Sequence, residues 1–169
     1  AWNAFGQYVF PGYRQGDFLL DASARISVYP FSRQFNLTGR LIIENKEPDY
    51  FQKSYYSNHF RWNNSFSKTT DTRIEVALSV PDYKLEAGLQ QSFVSNLVYM
   101  DKTAKPAQES DAISITSLYV QKNFKAGVFH ADNRFLFQIS GNEDVVPLPK
   151  ISLNARWYIQ GVLVKSVLT

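Results

Sequence analysis

An all-β fold is predicted, with about nine or ten antiparallel strands in a meander, each oily on one face and charged on the other. Three observations predict it. Apolar and polar residues alternate with a period of two over most of the chain. No long stretch carries apolar residues at i, i+3, i+4 and i+7, and Gly and Pro interrupt the chain at short intervals. The aromatic fraction is 15% although the mean hydropathy is negative, because Phe and Tyr alternate with Asn, Ser, Arg and Gln instead of gathering into apolar runs.

The clearest strand runs from Phe18 to Tyr29, with Phe18, Leu20, Ala22, Ala24, Ile26 and Val28 on one face and Asp21, Ser23, Arg25 and Ser27 on the other. Pro30 and Ser32-Arg33-Gln34 turn the chain, and Phe35, Leu37, Gly39, Leu41 and Ile43 resume the pattern opposite Asn36, Thr38, Arg40 and Glu44. The pair reads as a hairpin. After a polar loop from Asn45 to Lys53, alternation returns from Ser54 to Phe66. Thr72 to Val80 follows, with Ile74, Val76, Leu78 and Val80 facing Arg73, Glu75 and Ser79. Pro81-Asp82 closes a short turn, where Pro pre-sets the backbone. Tyr83, Leu85, Ala87 and Leu89 then oppose Lys84, Glu86, Gly88 and Gln90, and Phe93 to Met100 continues or bends this strand. Asp101 to Asp111 reads as a loop. Ala112 to Phe124 is a strand of uncertain parity, extended by Lys125 to His130, with a turn at Ala131-Asp132-Asn133. Phe135, Phe137 and Ile139 oppose Arg134, Gln138 and Ser140. Gly141 to Lys150 is a loop, and a last strand places Ile151, Leu153, Ala155, Trp157, Ile159 and Gly161 opposite Ser152, Asn154, Arg156, Tyr158 and Gln160.

Strand length and aromatic placement turn this pattern into an architecture. Most of the predicted strands exceed the roughly five or six residues usual in globular sheets and suit the roughly 9–11 of a tilted membrane strand. Aromatic residues collect near strand ends, among them Tyr29, Phe31, Tyr55, Tyr56, Tyr83 and Tyr99, as the two interfacial girdles of a membrane barrel require. The expected fold is an antiparallel transmembrane β-barrel or part of one, as a single region over residues 1–169, with a soluble sandwich as its rival. A helical membrane protein is excluded, since no apolar stretch approaches the roughly 18–20 residues such a helix needs.

The polar parity gathers Arg25, Arg40, Arg61, Arg73, Lys84, Arg134 and Arg156, with Asp21, Glu44, Glu75 and Glu86 among them. In a barrel they would line a wet lumen of mixed charge; on an ordinary sheet they would form cross-strand ion pairs worth roughly 0.2–1 kcal/mol each. Catalytic signals are sparse. There is no cysteine, and His59 and His130 are far apart without metal-ligand spacing, so no metal, cofactor or enzymatic activity is expected. Glu75 and Glu86 could face one another across the Pro81-Asp82 turn as an acid–base pair, with nothing else in support. Asn36-Leu37-Thr38 and Asn63-Asn64-Ser65 match the glycosylation sequon, a pattern that chance often supplies. The formal charge of +3, without a run of Lys and Arg, gives no reason to expect a nucleic-acid partner.

Two segments resemble a known family. Tyr55-Tyr56-Ser57-Asn58-His59-Phe60-Arg61-Trp62-Asn63-Asn64 is similar to a segment of the porins of Bacteroidetes outer membranes, and Asp144 to Leu153, with its Pro147-Leu148-Pro149-Lys150, is similar to a second. Lys165 to Thr169 resembles the start of a further strand. The likeness covers roughly the last two thirds of the chain, and the first third fits by pattern only. It implies a single-chain outer-membrane β-barrel that passes small solutes passively, and it carries no catalytic residues. Family members are longer, and the chain lacks a terminal aromatic residue, so a fragment of a longer protein is expected.

The function expected is that of an outer-membrane porin with an Arg- and Lys-lined lumen narrowed by the 101–111 and 141–150 loops. Its partners would be outer-membrane lipid, small solutes, and further strands or other outer-membrane proteins that close the wall, because lipid does not tolerate unpaired edges. Two alternatives are a structural outer-membrane subunit that contacts partner proteins, and a soluble carbohydrate-binding sandwich in which Trp62 and Trp157 stack on sugars.

Overall fold

A computed structural model of the chain describes residues 1–161. Eight strands form one sheet: β1 (Trp2–Tyr8), β2 (Phe18–Val28), β3 (Phe35–Lys46), β6 (Thr69–Val80), β7 (Leu85–Ser95), β10 (Ile113–Ala126), β11 (Phe129–Ser140) and β12 (Ile151–Ile159). They lie side by side in chain order, and every neighbouring pair is antiparallel. The connections differ at the two ends. At one end the chain turns within a few residues, by Pro-led turns at Pro30–Ser32 and Pro81–Tyr83 and by Gly127-Val128, where Gly127 has φ +60°. At the other end the connections are long. They carry a short helix α1 (Tyr50–Lys53) and two small hairpins, β4 (Ser54–Tyr56) with β5 (Arg61–Asn63) and β8 (Leu97–Met100) with β9 (Pro106–Glu109).

The register fixes the faces, because residues directly opposite across antiparallel strands point the same way. Ala24 sits opposite Gly39, Gly39 opposite Val76, Val76 opposite Leu89 and Leu89 opposite Leu118. Leu118 lies opposite Phe137. That face is apolar from β1 to β12. One position over, Ser23, Arg40, Glu75, Gln90, Ser117 and Gln138 form a polar row on the other face.

Nothing among the described residues covers the apolar face. Among the described residues only Val80, Val94, Ile113 and Ala131 are buried hydrophobics, and Val94 and Ile113 sit where the long connections fold over the sheet end. Mid-strand residues such as Ile26, Leu37, Ile74, Val76, Leu89 and Leu153 stand exposed, Leu153 at 68%. Among the described residues no second layer faces the sheet, so the sandwich alternative has no partner sheet there. A single layer of this kind has no core of its own, and its apolar side requires a non-aqueous neighbour.

Several expected elements differ in detail. The alternating stretch from Ser54 to Phe66 is a short hairpin separate from the large sheet, not one long strand; it turns where the Ser57 N–H bonds the Phe60 carbonyl at 2.9 Å. The strand from Leu85 ends at Ser95, and Asn96, with φ +56°, redirects the chain into β8. The turn expected at Ala131-Asp132-Asn133 falls instead at Gly127-Val128, and residues 131–133 lie inside β11. Part of the 101–111 loop is strand β9. The first strand, β1, went unrecognised because Phe5 lies on the polar face and breaks the alternation. The expected last strand stops at Ile159, short of Gly161. The resemblance at Lys165 to Thr169 falls outside the described residues.

Candidate functional site

The polar face is where the chemistry collects. Each basic residue there is positioned by strand parity, and most meet an acid on a neighbouring strand. Arg40 on β3 donates to Asp21 on β2 in a two-point contact, Nε to Oδ1 at 2.9 Å and Nη2 to Oδ2 at 2.5 Å. Arg73 on β6 bonds Asp71 at 2.8 Å and approaches Glu44 on β3 at 3.7 Å. Arg156 on β12 bonds Asp132, directly opposite on β11, at 2.6 Å. Arg25 donates to the Thr38 hydroxyl at 3.2 Å.

A different arrangement occupies the middle of the face. Tyr119 on β10 sits opposite Gly88 on β7, and its ring lies across that glycine: a Cβ there would come within 2.4 Å of the ring. The hydroxyl reaches over to Glu86 at 3.0 Å and to Glu75, one strand further, at 3.2 Å. The Arg134 guanidinium lies 5.2 Å from the centre of the same ring. Depressions of about 450 Å³ and about 280 Å³ flank Tyr119; Arg25, Arg40, Glu75 and Glu86 border the first, and Glu75, Glu86, Gln121 and Arg134 the second.

Of the candidate polar residues, Arg25, Arg40, Arg73, Glu75, Glu86, Arg134 and Arg156 therefore share one face of the large sheet. Arg61 lies on β5, off that sheet, with its guanidinium 4.3 Å from the Tyr56 ring centre. Lys84 stands in the turn after Pro81–Tyr83 with left-handed backbone, φ +47°. Glu75 and Glu86 do not stand directly opposite one another across the Pro81-Asp82 turn, since Glu75 lies opposite Gln90 and Glu86 opposite Ser79; they meet instead through the Tyr119 hydroxyl.

The aromatic candidates fall at the two ends. Tyr29, Phe31 and Tyr83 mark the short-turn end, where Arg33 lies over the Tyr83 ring at 4.6 Å; Trp2, Phe124, Phe129 and Trp157 lie toward the same end of their own strands on the apolar face. Tyr55, Tyr56 and Tyr99 belong to the small hairpins of the other end rather than to the large sheet. There Tyr13, Tyr50, Phe51, Tyr55 and Trp62 touch in sequence, ending in a stacked Tyr55–Trp62 pair at 4.9 Å. His130 stacks on Tyr158 at 4.9 Å, and His59 lies in the β4–β5 turn.

A charged knot ties the long connections together. Asp17, just before β2, is buried and accepts from Lys68 at 2.6 Å, from Arg14 at 2.8 Å and from the Glu47 backbone N–H at 2.8 Å. Lys53 pairs with Glu47. Burial alone would raise the Asp17 carboxyl, but the bonds from Lys68, Arg14 and Glu47 outweigh it and hold it below the usual carboxylate range. Gln108 on β9 closes a two-way amide contact with Ser67, accepting at 3.0 Å and donating at 2.8 Å, so the two hairpin-bearing connections form one unit.

Comparison with known proteins finds one family, described as putative porin, whose model matches residues 1–169. The match includes the first third of the chain, which the two resembling segments do not reach. No curated protein and no solved structure matches.

Proposed function

This chain belongs to the putative porin family, and we propose that it forms wall of a β-barrel in a bacterial outer membrane through which small polar solutes diffuse passively. The family implies an outer-membrane location and a porin-like role. The single observation that carries the finer reading is the uncovered apolar face backed by a charged one. Lipid supplies the neighbour that the oily face lacks, and the Arg and Glu side chains then turn to a water-filled lumen. Long connections at one end and short turns at the other support the same orientation, since outer-membrane barrels carry long extracellular loops and short periplasmic turns. The Tyr55–Asn64 and Asp144–Leu153 segments support a Bacteroidetes source.

In this reading β1 and β12, the edges of the described sheet, pair with further strands or with another chain, because lipid leaves no solvent for unpaired backbone groups. The ion pairs along the polar face give the lumen mixed charge, filtering by size and weakly by sign. The test is flux. Protein purified in detergent and reconstituted into liposomes should speed swelling in small sugars well above protein-free vesicles. A folded, inserted protein that leaves swelling unchanged would overturn the porin reading and favour a structural subunit.

A further inference from the structure

Apart from Arg25, which bonds the Thr38 hydroxyl, and Lys46 and Lys125 near strand ends, three charges on the polar face have no ion-pair partner among the described residues: Glu75, Glu86 and Arg134. Arg40 sits opposite Glu75 in the register, yet its guanidinium is taken by Asp21. All three border the same depression of about 280 Å³, the carboxylates on the β6–β7 side and the guanidinium on the β11 side, with Tyr119 between them. Glu86, Gln121 and Arg134 lie in one register row, so the two charged residues are two strands apart, roughly 9–10 Å.

The Tyr119 hydroxyl sharpens the case. It approaches Glu86 at 3.0 Å and Glu75 at 3.2 Å, but it carries one proton and can donate to one carboxylate at a time. The other carboxylate retains open acceptor capacity at that point. On the opposite side Arg134 makes no hydrogen bond to a protein acceptor among the described residues; it rests on the Tyr119 ring and leaves its N–H donors free. The depression therefore offers acceptors for a cationic group on one wall and donors for an anionic group on the other, with the Gln121 amide between. Its volume lies just below the roughly 300–1,000 Å³ of sites for drug-sized ligands, which limits it to a small solute.

We propose that this depression is a binding site for small zwitterions carrying both an ammonium and a carboxylate, of the size of an amino acid or dipeptide. Glu75 and Glu86 receive the ammonium, and Arg134 takes the carboxylate in a two-point contact. Tyr119 is a positioning residue that holds one of the two glutamates at a time toward the site. The proposal rests on the porin reading only in placing this face toward water.

The test uses the reconstituted chain with dialanine as probe and its doubly capped, uncharged analogue, N-acetyl-dialanine methylamide, as control. Dialanine should interrupt the single-channel current at concentrations at which the capped analogue does not. Arg134→Gln and the Glu75→Gln/Glu86→Gln pair should each raise the half-blocking concentration at least about tenfold. Arg134→Lys should restore part of the effect. Equal block by both probes, or half-blocking concentrations unmoved by either variant, would overturn the proposal. If the protein with the wall completed beyond β1 and β12 forms no channel, the porin reading fails; calorimetric titration of dialanine into the folded protein in detergent then decides the site, where binding lost in Arg134→Gln sustains it and absent binding refutes it.

Discussion

Gly88 shows how one position can organise a face. The Tyr119 ring lies where a Gly88 side chain would stand, and that placement lets its hydroxyl reach Glu86 and Glu75. Gly88→Ala should push the ring aside and break both contacts, at a cost of about 1–3 kcal/mol in denaturant unfolding from detergent or lipid. An unchanged midpoint would mean that the ring contributes nothing there. Asp17 makes a second prediction, outside the strands. Its carboxyl lies below its ordinary value in the folded protein, so the stabilisation it gives is present above the ordinary carboxylate range and is lost as pH falls through its depressed value. The long-connection end should therefore loosen first under acid, visible as faster backbone amide exchange near Asp17, Glu47 and Lys68. Asp17→Asn should loosen it at neutral pH. Much of this scale was hidden in the sequence. Arg40 and Glu75 could be placed on one face by parity alone, but the convergence of Glu75, Glu86 and Tyr119 depends on register across three strands.

At the scale of elements, alternation was the legible signal, and it was followed wherever both faces kept their character. The central stretches of β2, β3, β6 and β7 kept theirs, with single exceptions such as Ile42 on the polar face of β3 and Gln91 on the apolar face of β7. The strands misread are those in which residues cross over: Phe5 on the polar face of β1, Lys122 and Asn133 on the apolar face of β10 and β11, Leu136 on the polar face of β11. Asn133 is tolerated there because its side-chain oxygen accepts from the Trp157 indole at 3.1 Å, and Lys122 reaches the Tyr83 carbonyl at the short-turn end. The β4–β5 hairpin alternates like a long strand, but it is tied to the neighbouring β8–β9 hairpin by hydrogen bonds such as Asn64 to the Pro106 carbonyl at 3.4 Å. Periodicity cannot distinguish the two. One strand provides the element-level test. Val76→Arg, on the apolar face of β6, should destabilise the inserted protein by about 2–4 kcal/mol. Ser79→Arg, on the polar face, should change stability by less than about 0.5 kcal/mol in the same unfolding assay. Similar costs at both positions would contradict the assignment of faces.

For the whole molecule, the claim is that the protein is built inside out relative to a water-soluble sheet. Composition already hinted at this, since a chain rich in Phe and Tyr yet of negative mean hydropathy has no way to gather a conventional core. The structure gives the hint a geometry: eight strands, one uncovered apolar face, one ion-paired polar face, and long connections at a single end. The number of strands in the complete wall was not legible, because period-two alternation reports faces and says nothing of closure. The absence of native cysteine makes the most direct test clean. Single cysteines placed along β6 at Ile74, Glu75, Val76, Ala77, Leu78 and Ser79, in protein inserted into lipid, should react alternately with a water-soluble maleimide. The account predicts fast labelling at positions 75, 77 and 79 and protection at 74, 76 and 78. The reverse alternation, or uniform labelling along the strand, would contradict it.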